Sequence, residues 1–347
     1  MNHPVTNAIN ITIKGIAFVE FVADKPDQFA TILSSMGFYR AAVTADQRKT
    51  LFKQGNIHYI VNSDPTGNAG AYQQIHRNGV SGVAFRVDDA SLAFQLSLKR
   101  QSSPATLVDY SCPALQGIGG SNIYLVDDRL LYDIFSEFEP TNEAATDVEM
   151  GLTEIDHLTH NVNRGTMSSW EKFYSDVFQF NRIKTFNIKG AKTGLRSVAL
   201  ADPTGQVKIP INESSDDHSQ IEEFLRLNKG EGIQHIAMTT DNIYLTTERL
   251  KAAGIPFQET PATYYELLDK RLPGHGEDTR TLKKIGILLD ADNSEQGKKL
   301  LQIFTREVLG PMFFEIIQRK GNAGFGEGNF QALFESIELD QIRRGVV

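Results

Sequence analysis

The fold is decided by a five-residue pattern that occurs four times: Ile16-Ala17-Phe18-Val19-Glu20, Val80-Ser81-Gly82-Val83-Ala84, Ile155-Asp156-His157-Leu158-Thr159 and Ile233-Gln234-His235-Ile236-Ala237. Each copy is apolar with the alternation that is typical of a strand. Each is followed by a helix-like stretch and then by further strand-like segments. A repeat of this kind indicates one supersecondary unit per copy. The sequence therefore predicts an α+β fold of four modules, each with a strand, a helix and several strands.

The acidic segment 137–149 separates the second copy from the third and is interpreted as a linker. It divides the chain into a predicted N-terminal domain, residues 1–140, and a predicted C-terminal domain, residues 150–347. The segment 130–135 is one of several further strand candidates. After a glycine-rich turn, the apolar spacing over 329–344 predicts an amphipathic C-terminal helix.

Composition excludes several classes of protein. The chain has 347 residues, 40% of them hydrophobic, and a formal net charge of −8. No stretch approaches the ~18 uninterrupted apolar residues of a membrane helix, and the basic residues form no stripe that would suit nucleic acid. The single cysteine, Cys112, excludes an internal disulfide framework. We therefore expect a cytoplasmic protein that binds neither membrane nor nucleic acid.

The aligned repeats single out two histidines. The same strand position holds Phe18 and Gly82 in the first half but His157 and His235 in the second half. A lone histidine in a strand is more often structural than a ligand, but equivalent positions of duplicated modules should meet around a common axis. His160 differs from His157 by an odd number, so strand alternation places it on the opposite face.

Glu315 supplies a third candidate ligand because it lies in an apolar, strand-like segment, residues 313–318. Burying a carboxylate is costly unless it is paired, protonated or metal-bound. Two imidazoles and one carboxylate form the facial triad that suits Fe(II) and leaves coordination positions open. Zinc prefers a more closed site and offers no redox chemistry. The sequence therefore predicts Fe(II), with no matching site in the first half, where residues 131–133 are aligned with Glu315.

Several motifs carry a family resemblance. The segments 209–213, 232–237, 313–319 and 324–330 together resemble the bacterial 4-hydroxyphenylpyruvate dioxygenase family of the vicinal oxygen chelate superfamily. The resemblance implies two open barrels of βαβββ modules, with Fe(II) in the C-terminal barrel only. It also implies conversion of 4-hydroxyphenylpyruvate, a 2-oxo acid, and O₂ to homogentisate and CO₂ in tyrosine catabolism. A homo-oligomer, dimer or tetramer, is expected by the same likeness.

The resemblance also assigns a substrate pocket. It implies a polar network of Ser197, Asn212, Gln220, Gln234 and Gln302, and aromatic walls and a lid formed by Phe304, Phe325 and Phe330. From the residues alone, Gln220 could be a solvated loop residue and the phenylalanines could be core. Gln234 directly precedes a candidate ligand, so alternation turns it away from the metal and towards the flank.

Three other functions remain open at this point. Hydroxymandelate synthase would use the same substrate and triad, although Phe304 favours the homogentisate-forming enzyme by family likeness. An extradiol catechol dioxygenase would share the fold and triad but would not need the amide network. A metal-free binding protein would have lost the ligands, as the first half has done. No nicotinamide, flavin or pterin motif is recognised, and a 2-oxo acid substrate would supply its own reducing electrons.

Overall fold

The computed structural model describes residues 10–142, 150–189, 194–291 and 297–333. Within these ranges, sixteen strands form two sheets of eight. The strands of the first sheet are β1 Ile13–Val22, β2 Tyr39–Thr44, β3 Lys49–Gln54, β4 Ile57–Asn62, β5 Gly79–Val87, β6 Ala114–Gln116, β7 Asn122–Val126 and β8 Phe138–Pro140. Those of the second sheet are β9 Leu152–Val162, β10 Asn181–Lys189, β11 Gly194–Ala201, β12 Lys208–Ser214, β13 Gly232–Thr240, β14 Leu288–Ala291, β15 Lys299–Phe304 and β16 Phe313–Lys320.

Helices connect the strands and cover the sheets. They are α1 Pro26–Ser35, α2 Gly67–His76, α3 Ala90–Lys99, α4 Asp128–Ser136, α5 Met167–Phe178, α6 Gln220–Asn228, α7 Ile243–Ala252, α8 Ala262–Arg271 and α9 Thr279–Ile285. A further helical stretch covers residues 327–333, and the rest of the predicted C-terminal helix lies outside the described residues. No helix in the described part of the chain is long and apolar enough to cross a membrane.

The four copies of the repeated pattern are the central strands β1, β5, β9 and β13. The first sheet has the order β6-β7-β5-β1-β4-β3-β2-β8, and the second has the order β10-β11-β12-β9-β13-β16-β15-β14. In each sheet the two repeat strands pair antiparallel, and each has a parallel neighbour on its other side. The predicted α+β fold of duplicated modules is confirmed.

Helix α4 corrects the strand predicted over 130–135. The Asp127 side chain accepts a hydrogen bond from the backbone N–H of Leu130 and so caps a helix start. Only Ile134 of this helix is fully buried, and short apolar runs suit a strand or a helix equally well. The predicted linker also contains structure, because Phe138–Pro140 forms the edge strand β8. Residues 143–149 lie outside the described ranges.

One hydrophobic core runs between the two sheets. The ring of Tyr59 on β4 stacks on Phe314 of β16, with centroids 5.9 Å apart and planes at 14°. Phe85 on β5 packs edge-on against Phe178 of α5 at 5.4 Å. The division into domains 1–140 and 150–347 stays a prediction, since the sheets separate along the chain but share this core.

Strand register corrects the equivalent of Glu315 in the first half. Glu315 pairs with Ala237 across the parallel strands β16 and β13. Tyr124 pairs in the same way with Ala84 across β7 and β5. The equivalent residue is therefore Tyr124, and the aligned segment 131–133 lies in α4 instead.

Aromatic rings occupy the interior of the first sheet. Tyr124 lies 6.1 Å from Phe18 and 5.1 Å from Tyr110, measured between ring centroids. A Cβ atom added to Gly82 would come within 2.6 Å of the Tyr124 ring, so this position has no room for a histidine without rearrangement. In the first half, aromatic rings therefore occupy the space that is equivalent to the candidate ligand site of the second half.

Glu20 is fully buried beside these rings. Its carboxylate accepts hydrogen bonds from Asn62 Nδ2 (2.8 Å), the Tyr110 hydroxyl (2.7 Å) and Ser81 Oγ (2.9 Å). Burial and, secondly, the nearby Asp109 carboxylate raise the pKa of Glu20 to about 7, and the three donors offset only part of that rise.

This raised pKa predicts how the Glu20→Gln variant behaves. The unfolded chain loses the Glu20 proton near the ordinary pKa of 4.5, while the folded chain keeps it to about pH 7. Folding stability is therefore progressively lost as the pH rises between these values, by ~1.4 kcal/mol for each unit of pKa elevation. In denaturant titrations from pH 4.5 to 8, Glu20→Gln should gain stability relative to the parent as the pH rises. A constant difference between the two proteins would contradict this. Glu139→Gln, at an exposed position, is the control for the change in formal charge.

Candidate metal centre

Three side chains converge on the inner face of the second sheet: His157 from β9, His235 from β13 and Glu315 from β16. Their candidate ligand atoms all lie within 4.8 Å of one another. Glu315 Oε2 is 3.2 Å from His157 Nε2 and 3.3 Å from His235 Nε2. The two imidazole planes cross at 76° with centroids 5.5 Å apart. Among the described residues this is the single group of three or more His, Cys, Asp or Glu side chains arranged to hold a metal ion.

Strand register explains this convergence. Ala237 pairs with His157 on one side and with Glu315 on the other, so His157 and Glu315 belong to one row across three adjacent strands. His235 lies two residues before Ala237, and strand alternation therefore puts its side chain on the same face. Local alternation and pairing are thus sufficient to assemble the group.

Electrostatics within the group favour an ionised carboxylate. Burial raises the pKa of Glu315, but the adjacent His157 and His235 outweigh burial and lower it to about 2. Burial likewise lowers the pKa of His157, but the Glu315 and Asp156 carboxylates overcome this effect and raise it. Burial dominates for His235 and lowers its pKa. A buried anion between two imidazoles fits a divalent metal that accepts mixed nitrogen and oxygen ligands.

Each candidate ligand histidine has a hydrogen-bond partner at Nδ1, the ring nitrogen that does not face Glu315. His157 Nδ1 lies 2.7 Å from Asp156 Oδ2, and Asp156 receives two hydrogen bonds of 2.8 Å from the Arg319 guanidinium. His235 Nδ1 lies 2.9 Å from Gln234 Oε1. A proton on each Nδ1 leaves both Nε2 lone pairs directed at the candidate metal position. Gln234 thus acts at the flank of the group.

His160 points away from the group, as strand alternation predicts. Its Nε2 lies 2.8 Å from the Tyr174 hydroxyl on α5. Burial lowers the pKa of His160 to about 3, so it is neutral at ordinary pH. His160 is therefore a structural residue of the core.

A small pocket opens onto the candidate ligands. Ser197 and Asn212, paired across β11 and β12, line it, and Ser197 Oγ has no hydrogen-bond partner among the described residues. The Phe304 ring lies 6.3 Å from His235, and the Phe325 ring lies 5.3 Å from His157. The other lining residues are Thr159, Phe186, Leu195, Pro210, Gln302 and Phe330.

The structure thus gathers most of the residues assigned to the substrate pocket, with two exceptions. Gln220 is the exposed first residue of α6, immediately after the N-cap Ser219, and it does not line the pocket. Gln234 also lies outside the lining. Gln302 lines the pocket, but its Nε2 donates to Glu315 Oε1 at 2.7 Å. In this structure Gln302 therefore holds a candidate ligand.

Sequence reasoning missed Asp156 and Arg319. Asp156 directly precedes the repeated histidine, and this position was a detectable signal. Its contact with Arg319 joins residues that are far apart in the chain, for which the repeats gave no signal.

Comparison with known proteins agrees with this arrangement. The family model described as "Hydroxyphenylpyruvate dioxygenase, HPPD, N-terminal" matches residues 7–137. The one described as "Glyoxalase/Bleomycin resistance protein/Dioxygenase superfamily" matches residues 154–268. The fold and the candidate site thus define a protein of the glyoxalase and dioxygenase class.

Individual relatives narrow the assignment. The chain is 48% identical to 4-hydroxyphenylpyruvate dioxygenase of Pseudomonas aeruginosa over 343 residues, which cover 96% of each chain. It is 47% identical to a Vibrio vulnificus protein named hemolysin VllY over 99% of each chain. The chain belongs to the 4-hydroxyphenylpyruvate dioxygenase family.

Solved structures share the fold. A fusion of a xylose isomerase-like TIM barrel with 4-hydroxyphenylpyruvate dioxygenase superposes with a TM-score of 0.83 at 28% identity. The match covers 96% of this chain and 53% of the fusion, so this chain spans about half the length of that protein. A mutant of 4-hydroxymandelate synthase from Streptomyces coelicolor gives a TM-score of 0.79 at 24% identity, covering 95% of this chain and 99% of that one. The second likeness concerns the fold alone.

The geometry predicts the effect of removing each candidate ligand. His157→Ala, His235→Ala and Glu315→Ala should each weaken divalent-metal binding by more than ~100-fold, because losing an outer-shell partner alone costs 10- to 100-fold. His160→Ala is the control. It should lower thermal stability through the lost Tyr174 contact but leave metal content unchanged. Elemental analysis of the purified variants measures this. Two ions per parent chain, or loss of metal in His160→Ala alone, would refute the assignment.

Proposed function

We propose that this protein converts 4-hydroxyphenylpyruvate and O₂ to homogentisate and CO₂, with Fe(II) held by His157, His235 and Glu315. The observation that carries the proposal is the convergence of two imidazoles and one carboxylate beneath an aromatic pocket. When bound, Fe(II) offers open positions to a chelating 2-oxo acid and to O₂ and supplies the redox chemistry. The protein binds and orients the substrate and excludes water.

Neutral polar groups would orient the substrate. Ser197 Oγ has no hydrogen-bond partner in the described part of the chain and is completely buried, so it is available to a ligand in the pocket. Asn212 lies opposite Ser197, and its Nδ2 is 3.4 Å from Asn161 Oδ1. A hydroxyl and an amide can each donate and accept hydrogen bonds without adding charge that would compete with the metal ligands.

Aromatic side chains would wall the substrate ring. Phe304, at the end of β15, lies beside His235, and Phe325, in the glycine-rich turn, lies beside His157. Phe330 lies on the helical stretch 327–333 and also lines the pocket. Their faces exclude water from the reacting atoms and present a surface on which an aromatic ring can pack.

The pocket must open to admit a substrate. Its volume is about 20 Å³, which gives room for about one water molecule, at ~10–15 Å³ each, but not for an aromatic 2-oxo acid. A cavity of about 620 Å³ adjoins it at Phe325 and is lined by other residues of the turn 321–326 and by the first residues of the helical stretch 327–333. Lys184 on β10 pairs with Glu327 at 2.6 Å across this cavity. We assign the turn as the hinge and the helix that follows as the lid.

Two assigned amides have different roles in this proposal. Gln234 would act through His235, whose Nδ1 it contacts. Gln220 would reach the substrate only if the start of α6 moved towards the pocket. The cytoplasmic location and the homo-oligomeric state stay predictions.

Turnover tests the proposal directly. The purified chain, supplied aerobically with Fe(II) and 4-hydroxyphenylpyruvate, should consume O₂ and release CO₂ and homogentisate in equal amounts. Hydroxymandelate as the product would instead identify the synthase. Turnover of a catechol without activity on the 2-oxo acid would identify an extradiol enzyme.

Phe304 offers a test of product choice. Its position opposite Glu315 across β15 and β16, beside the His235 ring, lets it limit how far the substrate ring can shift. Phe304→Ile should retain O₂ consumption but divert part of the product to hydroxymandelate or hydroxyphenylacetate. A barrier difference of only ~1.4 kcal/mol changes a product ratio tenfold. Chromatography of the products measures the ratio, and unchanged homogentisate at an undiminished rate would show that Phe304 is only core packing.

A further inference from the structure

A chain of buried polar side chains leads from Glu315 to the base of the lid. Glu315 Oε1 accepts a hydrogen bond from Gln302 Nε2 at 2.7 Å. Gln302 Oε1 accepts one from Asn329 Nδ2 at 2.7 Å. Asn329 Oδ1 in turn lies 2.6 Å from the Tyr264 hydroxyl and 3.3 Å from Arg271 Nη2. Asn329 belongs to the helical stretch 327–333, whereas Tyr264 and Arg271 belong to α8.

The hydrogen bonds of Tyr264 determine which atoms donate and which accept along this series of side chains. The Tyr264 hydroxyl accepts from Arg271 Nη2 at 2.8 Å and from the backbone N–H of Leu289 at 3.0 Å. A guanidinium can only donate. The single hydroxyl proton is therefore left to donate, and Asn329 Oδ1 at 2.6 Å is nearer than the Leu289 carbonyl oxygen at 3.1 Å.

Each amide then has one satisfactory orientation. With its oxygen held by Tyr264 and Arg271, Asn329 must present its NH₂ group to Gln302. Gln302 must then present its oxygen to Asn329 and its NH₂ group to Glu315. Both amides are only 2% exposed, so water cannot readily replace a mismatched partner, and an unsatisfied buried group costs ~1–3 kcal/mol.

The turn before the lid is shaped to allow this contact. Gly326 has a φ of +75°, and a Cβ atom at this position would lie 1.9 Å from Gln302 Oε1. A side chain at 326 would therefore push the turn away from Gln302 and separate it from Asn329. Glycine is required here for backbone conformation and for close approach.

We propose that Asn329 is a positioning residue for the metal centre, because it fixes the Gln302 amide that occupies Glu315 Oε1. Only Glu315 Oε2, the oxygen that faces both histidines, is then left for the metal. Monodentate ligation keeps one more coordination position open for the substrate and O₂ than bidentate ligation would. This inference rests on the proposed role of Glu315 as a metal ligand.

The variant Asn329→Asp tests the direction of the chain with almost no change of shape. Both side-chain oxygens of the new carboxylate only accept, so one of them would face Gln302 Oε1. Gln302 must turn its amide over, and its oxygen then faces Glu315 Oε1. We expect at least a tenfold loss of Co(II) affinity, measured by competition with a chelator. We also expect an altered visible Co(II) spectrum, because that spectrum responds to coordination number.

Glu327→Gln is the matched control on the same helical stretch. It removes the charge that pairs with Lys184 and keeps an amide oxygen for the backbone N–H of Phe325, and Glu327 is not among the hydrogen-bond partners of the Gln302 and Asn329 side chains given above. Its Co(II) affinity and spectrum should equal those of the parent. If it changes them as much as Asn329→Asp does, the cause is a loosened helix and the proposal is wrong. Unchanged affinity and spectrum in Asn329→Asp would also overturn it.

Tyr264→Phe provides a second test that does not depend on the folding of Asn329→Asp. It removes the hydroxyl proton that holds Asn329 Oδ1 but keeps the buried ring, and thermal melting of the metal-free protein checks the fold. We expect a two- to fivefold loss of Co(II) affinity with a spectral change in the same direction as for Asn329→Asp. An unchanged spectrum and affinity would contradict the proposal. A parent chain that binds no Co(II) would instead refute the metal site itself.

Discussion

The ionised carboxylate of Glu315, held away from water, is the constraint on which the second half of the chain depends. An isolated buried carboxylate is too costly to keep, so every part of it must be matched. One oxygen faces two imidazoles, and the other accepts from an amide. The strands around Glu315 supply the two histidines, and each histidine has a hydrogen-bond partner at Nδ1. The Gln302 amide in turn has Asn329 as its partner. These polar side chains are thus the partners, direct or indirect, of the Glu315 carboxylate.

The first half has the same strand arrangement but no carboxylate at the position equivalent to Glu315. Phe18, Gly82 and Tyr124 occupy the equivalent positions, and rings fill the space. A fully buried carboxylate in that interior, Glu20, accepts hydrogen bonds from three neutral donors and keeps a raised pKa. The same interior is thus filled by packed rings in the first sheet and by a cluster of polar side chains in the second.

Sequence reasoning succeeded where the decisive rule is local. Strand alternation separates His157 from His160, and the repeats identify His235, because both depend on a few adjacent residues. It failed where the position of a residue depends on pairing between distant segments of the chain. The equivalent of Glu315 in the first half is Tyr124, which only the register of β7 against β5 reveals. The contact of Arg319 with Asp156, and the exposed position of Gln220, likewise depend on tertiary packing that no short pattern encodes.

Adjacent residues of strand β16 point to opposite faces of the second sheet. Glu315 points to the candidate metal site, while the preceding residue, Phe314, stacks on Tyr59 of the first sheet and lies 6.5 Å from Phe21. The first sheet therefore packs directly against the strand that carries Glu315. The packing of Tyr59 and Phe21 against Phe314 therefore constrains the position of β16 and, with it, the position of the Glu315 carboxylate.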